Sequence, residues 1–284
     1  MPIRISSRDE QGAFQILLDR QSALDIGAFA VDGTDISPGI AIPSDGDPRI
    51  DHALQGFFFT CGPDHIRHPE AIEGDAEGRQ FPLHGSLCGT PVSRTEMAGP
   101  NDVPGCFAET HVELANGGKA LFSRRWAISG DASEVTLFDR VTNTGQIAFA
   151  PMLMYHMNIG GWLCGDSTLI AGAMLPDGPR AWRFGEGDSA HFCVPASDTA
   201  TDGWAQVTLG PFEVLSGRSL QVRFRVDTLP FLQMWRCQKG DADVVSIEPV
   251  SHRIAKRTEL AADGDLPLLE PGATVDYALA FQVG

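Results

Sequence analysis

The segments RSLQVRFRVD (residues 218–227) and TVDYALAFQV (274–283) repeat their apolar residues with a period of two. A strand sends successive side chains to opposite faces. Leu220, Val222, Phe224 and Val226 therefore share one face, with Gln221, Arg223 and Arg225 on the other. Val275, Tyr277, Leu279, Phe281 and Val283 line up in the same way. Similar short runs predict strands over 13–18, 24–31, 54–60, 109–115, 119–128, 133–141, 152–159, 204–209, 231–236 and 243–248. The chain's 31 glycines and 19 prolines punctuate these runs, and no segment reads as a long, capped amphipathic helix. Many short strands separated by turn residues predict an all-β sandwich or barrel. Three polar, Gly-rich stretches, 60–82, 96–106 and 176–203, read as long loops of the kind that build binding surfaces. There is no internal repeat and no linker-like tract, so one domain is expected over residues 1–284.

A formal charge of −16 argues against nucleic acid or an anionic membrane as partner, because both reward basic patches. No apolar run is long enough to span a bilayer, and the start PIRISSRDEQG lacks the features of a signal peptide. Six scattered cysteines with no CxxC pair read as reduced thiols, and the expected location is cytoplasmic.

Alternation also locates polar groups on strands. In PMLMYHMNIGG (151–161), Met152, Met154, His156 and Asn158 point together, while Leu153, Tyr155, Met157 and Ile159 point the other way. Taken alone, His156 reads either as a hydrogen-bonded core histidine or as a functional group carried into a cleft. In DVVSIEPV, Val244, Ser246 and Glu248 share a face. Glu248 is then either a strand-end carboxylate reaching solvent or a buried one with a raised pKa, suited to proton transfer. In LPFLQMWR, Phe231, Gln233 and Trp235 share a face, and an aromatic platform beside an amide suits a sugar ring as well as it suits a packed core. His84, before a glycine in FPLHGSLCG, fits a tight turn at a pocket wall.

Other clusters carry less. His65 and His68 in HIRH have a spacing that binds metal on a helix, but they lie in a proline-flanked, loop-like region without a carboxylate motif, so no metal is expected. Arg124 and Arg125 are adjacent and point to opposite faces of a strand, so one of them can reach a cleft; Arg125 is the candidate. The absence of a Gly-rich phosphate loop, a GxSxG elbow and HExxH removes several dehydrogenase, hydrolase and kinase readings.

The ordered set TCG (60–62), LHG (83–85), YHMN (155–158), LPFLQMW (229–235) and SIEP (246–249), closing with LEPGATVDYALAF, resembles the aldose 1-epimerase (galactose mutarotase) superfamily and is most similar to its aldose-epimerase-like branch. The resemblance runs from about residue 14 to 281. It implies a galactose-mutarotase-like β-supersandwich of mostly antiparallel strands. It also implies an isomerase that interconverts the anomers of a free sugar or sugar acid by acid/base ring opening. In the roles it implies, His156 is the general acid at the ring oxygen and Glu248 the base. His84, Asn158 and Gln233 are then substrate-binding residues, and the strand reading above adds Trp235 and Arg125 to them. No cofactor is called for, the partner is a small-molecule carbohydrate, and a monomer or homodimer is expected. A carboxylate beside His156 is expected to favour its protonated form. YHMNIGG departs from the family's HxYFNL, and IEPV from its glutamate-glutamine pair. No motif assigns the family's sugar-binding aspartate among Asp177, Asp188 and Asp198. Two alternatives stand beside catalysis: a non-catalytic carbohydrate-binding protein, and another sugar isomerase or lyase on the same scaffold.

Overall fold

The structure is a computed structural model that describes residues 2–6, 14–39, 46–99, 102–129 and 134–284. Residues 13 and 133, the first of two predicted strands, lie outside the described residues. Among the described residues, period-two alternation becomes two antiparallel sheets of nine strands each. The front sheet runs in space from Ile3–Ser6 through Phe14–Asp19, Asp25–Val31, Phe58–Cys61, Met154–Gly160, Val244–Val250 and Phe231–Cys237 to Ser189–Pro195, and Thr34–Asp35 pairs with Asp25–Val31. The back sheet is centred on Arg218–Arg225, Thr274–Val283, Val135–Asn143, Lys119–Ile128 and Gly105–Glu113. A two-stranded ribbon pairs Glu70–Ala71 with Gln80–Phe81.

The apolar faces of the two sheets meet in one core. Leu220, Val222 and Phe224 from one back strand and Tyr277, Leu279 and Phe281 from its neighbour enter it, as the alternation predicts. The front sheet contributes Leu153, Tyr155, Met157 and Ile159 to the same core. Phe29, Phe57 and Phe281 form its aromatic centre, with ring centroids 4.8 to 5.4 Å apart. Edge-to-face and tilted pairs at these distances add to the stabilisation from area burial.

Arg124 crosses this core. Its guanidinium donates to Asp139 on the adjacent back strand (2.7 Å) and to Asp25 (2.7 Å) and Thr60 (2.6 Å) of the front sheet. The Tyr155 hydroxyl donates to Asp139 at 2.8 Å, which completes the network. A buried charge is tolerable only when paired in this way.

The opposite face of the front sheet holds a second apolar cluster that includes Phe59, Met152, Met154, Val244 and Val250. It is partly covered by the helix Pro48–Gln55, whose Ile50, Ala53 and Leu54 are buried. Asp47 caps the helix by accepting the Arg49 amide, and Pro48 occupies the first turn, where its missing N–H costs nothing. The predicted strand over 54–60 is thus wrong at its start: residues 54 and 55 close this helix, and the strand begins at Phe58. The predicted loop 176–203 also contains a strand, Ser189–Pro195, which forms the edge of the front sheet against Phe231–Cys237. Ala190, Phe192 and Val194 pack from it onto the main core. All six cysteines are unpaired. Among the described residues, no helix is long and apolar enough to cross a membrane.

Candidate active site

Strand register assembles the site on the outer face of the front sheet. Phe231–Cys237 pairs with Val244–Val250 so that Gln233 lies directly opposite Glu248. On the other side of Val244–Val250, the register sets Met157 opposite Ile247 and Asn158 opposite Ser246. One residue along, His156 sits beside Glu248, with its Nε2 3.1 Å from the carboxylate Oε1. The imidazole lies over the Phe59 ring (centroids 4.7 Å apart, planes at 22°) and edge-on to Trp235 at 5.5 Å.

His84 arrives from a loop. Its amide donates to the Arg67 carbonyl and its carbonyl accepts the Gly62 amide, which tie the turn to the front sheet. It adopts φ +57°, and the next residue, Gly85, has φ +83°. A Cβ on Gly85 would lie 2.2 Å from the His65 carbonyl oxygen, so glycine is required for the close approach. The His84 ring ends 6.0 Å from that of His156, nearly perpendicular to it.

His84, His156, Gln233, Trp235 and Glu248 thus line one cleft, a cavity of about 290 Å³, together with Arg67 and His191. Asn158 lies beneath it, fully buried. Arg125 does not belong to this set. It is exposed on the back sheet, because alternation turns Arg124 inward and its neighbour out to solvent. Neither arginine of the pair reaches the cleft. Asp177, Asp188 and Asp198 are not among the residues lining the cleft.

Hydrogen bonds fix the orientation of each polar group. Asn158 Nδ2 donates to the carbonyls of Gly56 (3.1 Å) and Leu54 (3.3 Å), so its Oδ1 faces His156 Nδ1 at 2.6 Å. An amide oxygen only accepts, so Nδ1 carries a proton, and Nε2 is the atom presented to Glu248. On the other side, Arg67 Nη1 donates to Gln233 Oε1 at 2.9 Å, which turns the Gln233 amide nitrogen toward Glu248 Oε2. The Ser246 hydroxyl donates to Oε1. His84 Nδ1 donates to the Ile66 carbonyl at 3.2 Å, which leaves its Nε2 as an acceptor.

Burial sets the protonation of the pair. It pushes Glu248 up to about 7, against the opposing effects of Ser246, Gln233 and Arg67. It holds His156 down at about 3, even though the hydrogen bond to Asn158 favours the charged ring. His84 is also held at about 3, by burial and by its neighbour His156. The expectation that the carboxylate keeps His156 charged is therefore corrected, because loss of solvation outweighs the neighbour. Near neutral pH the Nε2–Oε1 axis holds at most one proton, and that proton resides on Glu248.

Arg67, Ser246 and His191 were not identified from the sequence as site residues. Arg67 sits between the two histidines of HIRH and reaches Gln233 across 166 residues of chain, a contact that no local pattern announces. His65 of the same motif is buried and stacks on Phe81, while its Nε2 donates to the His68 carbonyl. Among the described residues, no group of three or more His, Cys, Asp or Glu is arranged to hold a metal.

The architecture is that of the galactose mutarotase-like proteins, to which solved structures compare over nearly the full chain. A candidate aldose 1-epimerase from Klebsiella pneumoniae matches with a TM-score of 0.72 at 16% identity, covering 95% of this chain and 76% of that one. A galactose mutarotase-like protein from Lactobacillus casei matches at 0.67 and 12% identity, covering 99% and 100%. A galactose 1-epimerase from Lactobacillus acidophilus matches at 0.65 and 10%, covering 100% and 94%. At these identities the likeness is one of fold. Comparison with curated proteins finds no match. The model of the family described as a domain of unknown function, DUF4432, matches residues 5–283, and the chain belongs to that family.

Proposed function

We propose that this protein is an aldose 1-epimerase-like isomerase, with His156 and Glu248 as its catalytic pair. The observation that carries the reading is their direct contact, at 3.1 Å, in a cleft that also holds His84, Gln233 and Trp235. The fold likeness to epimerases and mutarotases supports it. The cavity suits a monosaccharide, Trp235 offers an apolar edge to its C–H groups, and His84 Nε2 accepts a hydroxyl.

Ring opening takes a proton from the anomeric hydroxyl and delivers one to the ring oxygen. A pair that carries one proton does both. Transfer from Glu248 to Nε2 gives an imidazolium beside a carboxylate. The imidazolium protonates the ring oxygen as its bond to C1 breaks, and the carboxylate accepts the anomeric proton as C1–O1 becomes a carbonyl. The pair still holds one proton. After rotation about C1–C2 the hydroxyl re-adds to the other carbonyl face, and the two protons return by the reverse route.

Anomer-exchange NMR on hexoses, pentoses, deoxy sugars and uronic acids tests the reading. Wild type accelerates exchange of at least one sugar, and Glu248→Gln and His156→Asn each lose roughly 100-fold or more. Equal exchange by all three proteins removes these residues from the mechanism. Binding without accelerated exchange makes the protein a carbohydrate-binding module.

A further inference from the structure

The charge inside the cleft runs against that of the chain. The whole sequence carries −16, yet among the described residues lining the cleft Glu248 is the one carboxyl group and Arg67 the one permanent cation, with the imidazoles of His68, His84, His156 and His191 around them. Arg67 is half-buried, and among the described residues no carboxylate lies within ion-pair distance of it. Arg140 and Arg94, both exposed, do have such partners in Asp276 and Glu96. What Arg67 touches is neutral: Nη1 donates to Gln233 Oε1 at 2.9 Å and Nη2 to the His252 carbonyl at 3.1 Å, and its buried Nε has no acceptor. The Gln233 amide stands between the guanidinium and Glu248, so Glu248 does not pair with Arg67.

Withdrawing a guanidinium from water costs free energy unless an anion meets it. A neutral sugar brings no anion. A sugar acid does, and a single carboxylate matches the single permanent charge, whereas a phosphate dianion calls for more cations than Arg67 alone.

Building on the epimerase reading, we propose that the substrate is a carboxylate-bearing aldose of the hexuronic acid class, with its carboxylate bound by Arg67. Glu248 does not oppose such a ligand, since it enters the reaction with the shared proton, and the imidazoles of His68 and His191 add donors around the opening.

The test uses the full chain with D-glucuronate and D-galacturonate, each compared with its neutral amide and with the parent hexose, and D-glucose 6-phosphate as a further arm. Anomer exchange is read by NMR and binding by titration calorimetry. A charged hydrogen-bonded contact of this kind predicts a preference of roughly 10- to 150-fold for a uronate over its amide. Arg67→Gln brings that ratio near one, and Arg67→Lys keeps part of it. If the Gln variant does not fold, the uronate-to-amide ratio on wild type decides alone. Equal handling of uronate and amide by wild type overturns the uronate assignment while leaving the epimerase reading intact. Preference for the phosphate ester overturns the carboxylate assignment in the same way. A uronate that binds with the expected ratio but does not exchange upholds the anion site and removes the catalysis. Neither binding nor exchange of any of these sugars overturns both.

Discussion

His156 Nε2 lies 3.1 Å from Glu248 Oε1, on neighbouring antiparallel strands whose register puts the two side chains on one face. Asn158 occupies the other ring nitrogen, so the imidazole has one free position, and it faces the carboxylate. In the proposed mechanism the two residues act as one acid/base unit.

The pH profile follows from the proton held by that unit. Glu248, raised to about 7, loses the shared proton as pH rises through 7, whereas His156, at about 3, gains a second one only in strong acid. We expect kcat/KM for anomer exchange to be level between about pH 5 and 6.5 and to fall about tenfold per unit well above 7. Exchange rates measured from pH 5 to 9 check this. A rate that rises through pH 7 would show that the unprotonated pair is the active form.

The same ionisation bears on stability. A carboxyl raised from 4.5 to about 7 contributes fully below pH 4.5, and its contribution is lost as pH rises through 7, where the fold must hold a buried charge. Glu248→Gln stays neutral throughout and keeps the partners of the neutral acid. Relative to wild type it should gain stability between pH 5 and 8, by at most on the order of 3 kcal/mol at about 1.4 kcal/mol per unit. Denaturant midpoints at the two pH values measure the gain, and parallel curves for the two proteins would remove the buried-charge explanation.

Much of this site was legible because a strand's period is two. The placement of His156 with Asn158, of Ser246 with Glu248, and of Gln233 with Trp235 follows from alternation alone, and the opposite faces do enter the main core. Alternation says nothing about which strands are neighbours, so the Gln233–Glu248 and His156–Glu248 pairings needed the sheet order. Nor does it tell the inside of a sheet from its outer face. That is why one of Arg124 and Arg125 was expected in the cleft when the buried one serves the core. Arg67 lies in a loop without periodicity, and its role depends on a fold that brings Gln233 to it.

The adjacent arginines should respond in opposite ways to substitution. Arg124→Met leaves Asp25 and Asp139 without their cation in the core, a change that typically costs about 3–5 kcal/mol. Arg125→Ala removes an exposed side chain on the back sheet and should stay within about 0.5 kcal/mol of wild type with sugar exchange unchanged. Urea unfolding and exchange assays on the two variants give the comparison. A loss of exchange confined to Arg125→Ala would return that residue to the site.

In the proposed mechanism Asn158 is a positioning residue, and Asn158→Leu removes its polar atoms while keeping the branched side-chain shape. Leucine neither donates to the Leu54 and Gly56 carbonyls nor accepts the His156 Nδ1 proton. Leaving these groups without partners should cost on the order of 3 kcal/mol of stability. It should also release the imidazole from its Nδ1–H tautomer. Once Nε2 can carry the proton of the neutral ring, it donates to Glu248 instead of accepting from it, and the shared-proton axis is lost. The expected result is a fall in kcat of roughly 10- to 100-fold with little change in KM, the size of a general acid/base contribution. Nitrogen-15 NMR of the imidazole provides the reading that a merely structural role would not move: Nδ1–H in wild type and mixed tautomers in the variant. A variant that keeps Nδ1–H and full kcat would show that Phe59 and Trp235 alone orient the ring.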